Sequence, residues 1–351
     1  MMALDGGIAN RSSATIRPLE GFPCMKRFIF LLCTAVLAVP AQSAAYDPLA
    51  VGKGEVKSAT FDVQDAKRNR TIPIRVYLPG SEKPAQVILF SHGLGGSRDN
   101  NPYLGNHWAG RGYAVVFVQH PGSDESVWKG EPALKRMGAM KKAASGEAFM
   151  DRTKDIPAVI DALEVWTAGK GHALEGRLDL AHIGMSGHSF GAMTTQAMAG
   201  QSFGGRLSFV EKRIDAALMM SPSIPKLGDP AKAFGKITIP CLLMTGTEDD
   251  SPIGDMEPED RIKVFPSLTN APAWQVVFDK ATHMSFGERK GFRNRRESDR
   301  YHTAILALST AFWDAHLRGD KAAAEWLNGE GAKKVLLPQD RWEINAKASA
   351  G

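Results

Sequence analysis

The sequence predicts an α/β fold: a mostly parallel central sheet with an antiparallel N-terminal edge and helices on both faces. Three observations carry this. Near-continuous apolar runs at Ala85–Phe90, Ala114–Val118, Ile214–Met220, Ile239–Thr245 and Trp274–Phe278 have the composition of strands buried on both sides. Segments with apolar residues at helical spacing alternate with them, one through Ile156, Val159, Ile160, Leu163 and Trp166, another through Ile305, Leu308, Phe312, Trp313 and Leu317. Between a strand-like run ending at Met185 and a helix-like run starting at Ala192 stands Gly187-His188-Ser189-Phe190-Gly191, a tight strand-to-helix turn. Strands that alternate with helices become parallel neighbours, and functional groups then gather at the carboxyl ends of the strands.

The chain has 351 residues, 43% hydrophobic and 23% charged, which is ordinary globular composition. Residues 46–351 are expected to form one domain, and residues 1–45 to stand outside it. Met25-Lys26-Arg27 opens a charged segment, Phe28–Val39 is apolar, and Pro40–Ala45 is rich in small residues. This is the pattern of a signal peptide cleaved near Ala45, with Met25 as the functional start and export to the periplasm or medium as the consequence. The apolar run is shorter than the roughly 20 residues a membrane-spanning helix needs, so no stable membrane insertion is expected. Of Cys24, Cys33 and Cys241, only Cys241 survives such cleavage. It lies in an apolar run and reads as a small buried hydrophobe. The net charge is +5, with a basic cluster from Arg289 to Arg300 that is broken by acids and lacks interleaved aromatics. It reads as a solvated surface, and no nucleic-acid partner is expected.

In chain order, Ala59–Val63 and Thr71–Tyr77 alternate apolar and polar residues around a polar turn and read as an edge hairpin. The strand Ala85–Phe90 runs into Ser91-His92-Gly93-Leu94-Gly95-Gly96-Ser97, a glycine-rich loop that can offer a backbone N–H to a site. A helix is expected from Tyr103 to Arg111. The next strand, Ala114–Val118, ends in Gln119–Asp124, where His120 reads as loop-shaping, with a substrate-side position as the other reading. Residues 124–150 are polar and carry no strand pattern, as a lid or excursion would, and Trp128 within them is a candidate substrate-binding wall. The helix through Ile156–Trp166 places Pro157 in its first turn. The last strand expected is Trp274–Phe278.

The segment Gly187-x-Ser189-x-Gly191 matches a nucleophile elbow, in which the central side chain is exposed and its neighbours must be small. A serine hydroxyl needs a base to take its proton and an acid to orient that base. Both occur downstream, each just past a strand. His283 follows the last strand and is the candidate base. Asp249 follows Cys241–Thr245 and is the candidate acid, with Asp250 the alternative and Glu248 third. Of the other histidines weighed, His92 and His188 belong to loops that shape the site, and His302 to a helix. The oxyanion hole is assigned to the backbone N–H groups of Leu94 and Phe190.

Together these residues resemble the α/β-hydrolase superfamily, more narrowly its platelet-activating-factor acetylhydrolase and dienelactone-hydrolase-like branch. The resemblance rests on Phe90-Ser-His-Gly-Leu-Gly95, Gly112-Tyr-Ala-Val-Val116, His120-Pro-Gly122 and Gly187-His-Ser-Phe-Gly191, and covers roughly residues 55 to 320. It implies the hydrolase fold. Dienelactone hydrolases carry cysteine where this chain has Ser189, and acetylhydrolases carry their acid after the strand that here reads Leu218-Met-Met-Ser-Pro222, which has no carboxylate. The family also includes secreted polyester-degrading esterases. The expected function is an exported serine carboxylic-ester hydrolase acting on a small-molecule, lipid or polyester substrate, with no metal or cofactor. A serine peptidase or acyltransferase on the same triad, or a catalytically silent hydrolase-fold binding protein, are the alternatives.

Overall fold

The computed structural model describes residues 45–288 and 295–345, with Thr15 and Lys347, and residues 295–298 by backbone alone. The expected signal segment lies outside the described residues, as do Arg289, Lys290 and Arg293 of the basic cluster.

The apolar runs become strands of one nine-stranded sheet. In chain order the elements are β1 (Lys57–Asp65), β2 (Arg70–Leu78), β3 (Ala85–Ser91), α1 (Pro102–Gly110), β4 (Ala114–Val118), α2 (Ala133–Ala143), α3 (Gly146–Ala168), β5 (Leu178–His188) and α4 (Phe190–Ala199). There follow β6 (Ser202–Phe203), β7 (Leu207–Ser208), β8 (Ile214–Met220), α5 (Pro230–Phe234), β9 (Cys241–Glu248), α6 (Pro258–Ile262), α7 (Val264–Ser267) and β10 (Ala273–Thr282). The last elements among the described residues are α8 (Arg295–Leu317), α9 (Lys321–Asn328), α10 (Glu330–Lys333) and β11 (Arg341–Ile344). The sheet order is β1-β2-β4-β3-β5-β8-β9-β10-β11, and β6 and β7 form a separate small hairpin. Strands β4, β3, β5, β8, β9 and β10 are mutually parallel. The β1–β2 pair is antiparallel and joins the sheet through β2 and β4.

Alternate side chains of the parallel strands point to opposite faces, and each face meets helices. Ile88, Phe90, Leu218 and Leu242 pack with Leu104 and Trp108 of α1 and Ile305, Leu308 and Phe312 of α8. Val87, Leu89, Val116 and Met185 pack with Ile156, Val159, Ile160 and Leu163 of α3 and Met198 of α4. A third cluster joins Met219 and Leu243 to Phe234 and Val264 of the short helices α5 and α7. Cys241 is buried there as a free thiol, and burial pushes its pKa up.

Three sequence expectations are corrected. The helix predicted from Ile156 begins ten residues earlier: Ser145 caps it, its hydroxyl accepting the Ala148 N–H at 3.1 Å, so Pro157 lies in the helix interior and not in the first turn. Trp274–Phe278 is not the last strand, because β11 adds antiparallel to β10. Four residues of mixed polarity after three helices carry too little period to be read as a strand. Arg300, at the end of the basic cluster, is not simply solvated: it pairs with Asp340 at 3.3 Å and donates to the Asp279 carbonyl. Among the described residues no helix is long and apolar enough to cross a membrane.

Candidate active site

Ser189, Asp249 and His283 each stand one residue beyond a parallel strand, after β5, β9 and β10 respectively. The register sets those strand ends level: His188 lies beside Met220, and Glu248 beside Thr282. The backbone thus delivers three side chains to the carboxyl edge of the sheet, where open α/β sheets bind their ligands.

The turn from β5 into α4 holds Ser189 at φ 57° and ψ −117°, a conformation an L-residue adopts only under constraint. The constraint is visible in its bonds. The Ser189 N–H donates to the Met220 carbonyl at 2.9 Å, and its carbonyl accepts the Met193 N–H at 3.1 Å. The flanking glycines are required by space. A Cβ on Gly187 would run into the Gly191 carbonyl, and one on Gly191 into the carbonyl of Ser91 at the end of β3.

Ser189 Oγ lies 2.8 Å from His283 Nε2, and His283 Nδ1 lies 2.7 Å from Asp249 Oδ1. An ionised carboxylate only accepts, so Nδ1 carries the hydrogen and Nε2 is left to accept the serine hydroxyl. Asp249 is buried, and its second oxygen accepts from Thr245 Oγ1 at 2.8 Å. Asp250 and Glu248, the other two acids considered, are both exposed, and the acid that the structure brings to His283 is Asp249. His188 donates its Nε2–H to the His283 carbonyl at 3.0 Å and packs ring to ring with it at 4.7 Å. Burial, with His283 and Arg261 nearby, pushes the pKa of His188 well below the usual histidine range, so it serves here as a neutral donor.

The loop after β3 passes alongside Ser189: a Cβ on Gly93 would stand 3.5 Å from the Ser189 Cβ. Leu94 and Phe190 both line the cavity at this point. Among the described residues neither backbone N–H has an acceptor, and Phe190, as the first residue of α4, has no carbonyl four residues back in its helix.

The cavity measures about 1300 Å³. Trp128, Met137, Met140, Phe203, Ile224 and Leu227 form apolar walls around Ser189 and His283. Residues 124–150 form a short 3-10 turn, then α2 with no buried residue, then the start of α3. Trp128 lines the cavity and also donates Nε1–H to the Gly95 carbonyl at 2.7 Å, so it braces the loop as well as the wall. His120 is not on the substrate side. Its ring is buried between Ser91 Oγ at 2.9 Å and Asp155 Oδ2 at 3.0 Å, as a loop-shaping residue would be. His302 lies in α8, stacked on Tyr103 at 4.0 Å. Among the described residues no group of three His, Cys, Asp or Glu side chains could hold a metal ion.

Sequence reasoning missed two arginines. Arg261 is buried behind the acid, with Nε 3.1 Å from Asp249 Oδ1 and donating to the Asp249 carbonyl at 2.7 Å, and with Nη1 donating to the carbonyls of Ser221 and Pro222. Its short helix offers no periodicity that would mark it. Arg152 is buried behind the glycine-rich loop, and here a signal existed. Arg152 and Asp155 extend the apolar stripe of Ile156, Val159, Ile160 and Leu163, and charges on a buried stripe demand partners. A scan against protein-family models finds no match for this chain, and a search of curated proteins finds none either.

Proposed function

We propose that this chain is a serine carboxylic-ester hydrolase with the α/β-hydrolase fold. The observation that carries the reading is the unbroken hydrogen-bonded line Ser189 Oγ–His283–Asp249 opening on a largely apolar cavity. In this reading His283 Nε2 takes the hydroxyl proton as Ser189 Oγ attacks the ester carbonyl carbon. The N–H groups of Leu94 and Phe190 stabilise the oxyanion. The carbon–oxygen bond to the alcohol then breaks, and His283 returns the proton to the departing oxygen. Water, deprotonated by the same nitrogen, cleaves the acyl-enzyme and regenerates Ser189. Asp249 holds the tautomer and balances the imidazolium. Export rests on the sequence from Met25 to Ala45 alone.

The test is hydrolysis of p-nitrophenyl esters of increasing acyl length by the wild type, Ser189→Ala, Asp249→Asn and Asp250→Asn. The expected result is turnover lost by roughly 10⁴-fold or more in Ser189→Ala, strongly reduced in Asp249→Asn and retained in Asp250→Asn. Turnover that survives Ser189→Ala would overturn the mechanism. No turnover of any ester by the wild type would overturn the substrate class.

A further inference from the structure

We infer that Arg152 is the positioning residue of the oxyanion hole, fixing both of its donor segments through one buried guanidinium. The inference rests on the esterase reading. Arg152 Nη1 donates to the His92 carbonyl at 2.7 Å, and Nη2 lies 3.5 Å from the Gly93 carbonyl, so the two peptides immediately before Leu94 are turned toward it. Its Nε donates to Ser123 Oγ at 2.8 Å. Ser123 in turn accepts the Gly95 N–H on its carbonyl at 2.9 Å, so the loop is tied on the far side of Leu94 as well. The same guanidinium lies over the Phe190 ring, 4.4 Å from its centroid. One side chain therefore touches the surroundings of both proposed donors, whose residues line the cavity and whose N–H groups have no acceptor among the described residues.

What holds Arg152 is itself a directed chain. Its Nη1 reaches Ser91 Oγ at 3.3 Å, Ser91 Oγ–H donates to His120 Nε2 at 2.9 Å, and His120 Nδ1–H donates to Asp155 Oδ2 at 3.0 Å. Arg68 and Arg70 close the chain on the other side of Asp155, each at 2.8 Å. The arginines only donate and the carboxylate only accepts, so the orientation of every hydrogen between them is fixed. Ser91, His120 and Asp155 repeat the order of the Ser189 site, yet all three are buried and none lines the cavity, so they act on the loop and not on substrate. Burial pushes the Arg152 pKa down to about 9, which leaves the guanidinium charged at neutral pH. Preorganised donors contribute to catalysis by being in place before charge develops, and a displaced donor loses that contribution without altering how the ground state binds.

The experiment measures kcat and KM for a p-nitrophenyl ester, the inhibition constant of a trifluoromethyl ketone and the melting temperature, for the wild type, Arg152→Lys and Ser123→Ala. The ketone forms a hemiketal oxyanion on Ser189 and so reports the hole directly. Lysine keeps the charge but cannot bridge Ser123 and the His92 carbonyl together. In Arg152→Lys kcat is expected to fall roughly 10- to 100-fold, at or below the cost of removing one oxyanion donor outright, with KM nearly unchanged and the ketone weakened by the same factor as kcat. Ser123→Ala deletes a single hydroxyl and decides the matter if Arg152→Lys does not fold; its kcat and its ketone affinity should fall together, by a smaller factor. Variants that melt earlier but keep kcat and ketone affinity per folded molecule would overturn the inference and leave the esterase reading intact. A wild type without Ser189-dependent turnover would overturn the esterase reading and the inference with it.

Discussion

Arg261 Nε lies 3.1 Å from Asp249 Oδ1, the atom that also accepts the His283 Nδ1–H at 2.7 Å, so one buried carboxylate oxygen serves an arginine and a histidine together. The arginine compensates the charge of Asp249 where water cannot, and its bonds to the Asp249, Ser221 and Pro222 carbonyls tie the ends of β8 and β9 to each other. Removing one member of a buried pair leaves the other uncompensated. Arg261→Met is expected to lose roughly 3–5 kcal/mol of stability and most ester turnover. Denaturant unfolding beside Asp249→Asn and the double variant gives the check: the double should lose less than the two single losses added. Strict additivity would mean that the two side chains do not interact.

Most of this site was legible because it depends on strand ends. Ser189, Asp249 and His283 each follow an apolar run, and a run of that kind announces both a buried strand and the point where it stops. The choice between Asp249 and Asp250 turned on one residue of register, which strand periodicity alone does not resolve; in the structure Asp249 is buried at the histidine and Asp250 is exposed. Arg261 was not legible as a site residue: it bonds carbonyl oxygens of distant segments, and carbonyls leave no mark on a sequence. Arg152 was legible only as a charge on a buried helical stripe, a pattern that demands partners without naming them. β11 was missed for a related reason, since its place is set by pairing with β10 and not by its own four residues.

Acid should destabilise the fold over a defined window. Burial, followed by the charge of Arg152, pushes His120 down to about 4 despite its bond to Asp155, with Arg70 also facing it. The folded ring stays neutral while the unfolded chain takes a proton below its ordinary value of 6.5. The unfolded state therefore binds more protons between about pH 6.5 and 4, and stability falls as the pH falls through that window. For His120 the loss by the lower end is on the order of 3 kcal/mol, and His92 and His188, also pushed well below the histidine range by burial, act in the same direction. Guanidinium midpoints taken at intervals from pH 7.5 to 4.5 should be flat above 7 and decline below 6.5. A midpoint that holds between pH 7 and 5 would contradict the neutral, buried state of these rings.

The strain at Ser189 can be measured apart from catalysis. At φ 57° and ψ −117° a side chain is tolerated only because α4, β3 and β8 hold the turn. Ser189→Ala and Ser189→Gly both lack the proposed nucleophile, but glycine adopts this conformation without a Cβ penalty. Relief of about 1–3 kcal/mol of strain, less the 0.5–1 kcal/mol or so that glycine's added chain entropy takes away, leaves Ser189→Gly more stable than Ser189→Ala by about 1 kcal/mol. Equal melting temperatures for the two variants would limit the strain to the roughly 0.5–1 kcal/mol of glycine's chain entropy, and a Ser189→Gly variant that melts below Ser189→Ala by that full amount would show that the elbow stores none.

In the esterase reading, two side chains of α2 test how far the substrate reaches. Leu134 is 99% exposed and does not line the cavity, whereas Met137 is 51% exposed and does. Both would look alike in a sequence, as apolar residues three apart among lysines. If an acyl chain follows the cavity wall, it covers the exposed half of Met137, a contact on the order of 1 kcal/mol. Met137→Ser should therefore raise KM for long-chain p-nitrophenyl esters by roughly five-fold, with little change for the acetyl ester, while Leu134→Ser changes neither. A rise in long-chain KM in Leu134→Ser equal to that in Met137→Ser would place the substrate across the outer face of the helix and not along the wall that Met137 and Met140 form.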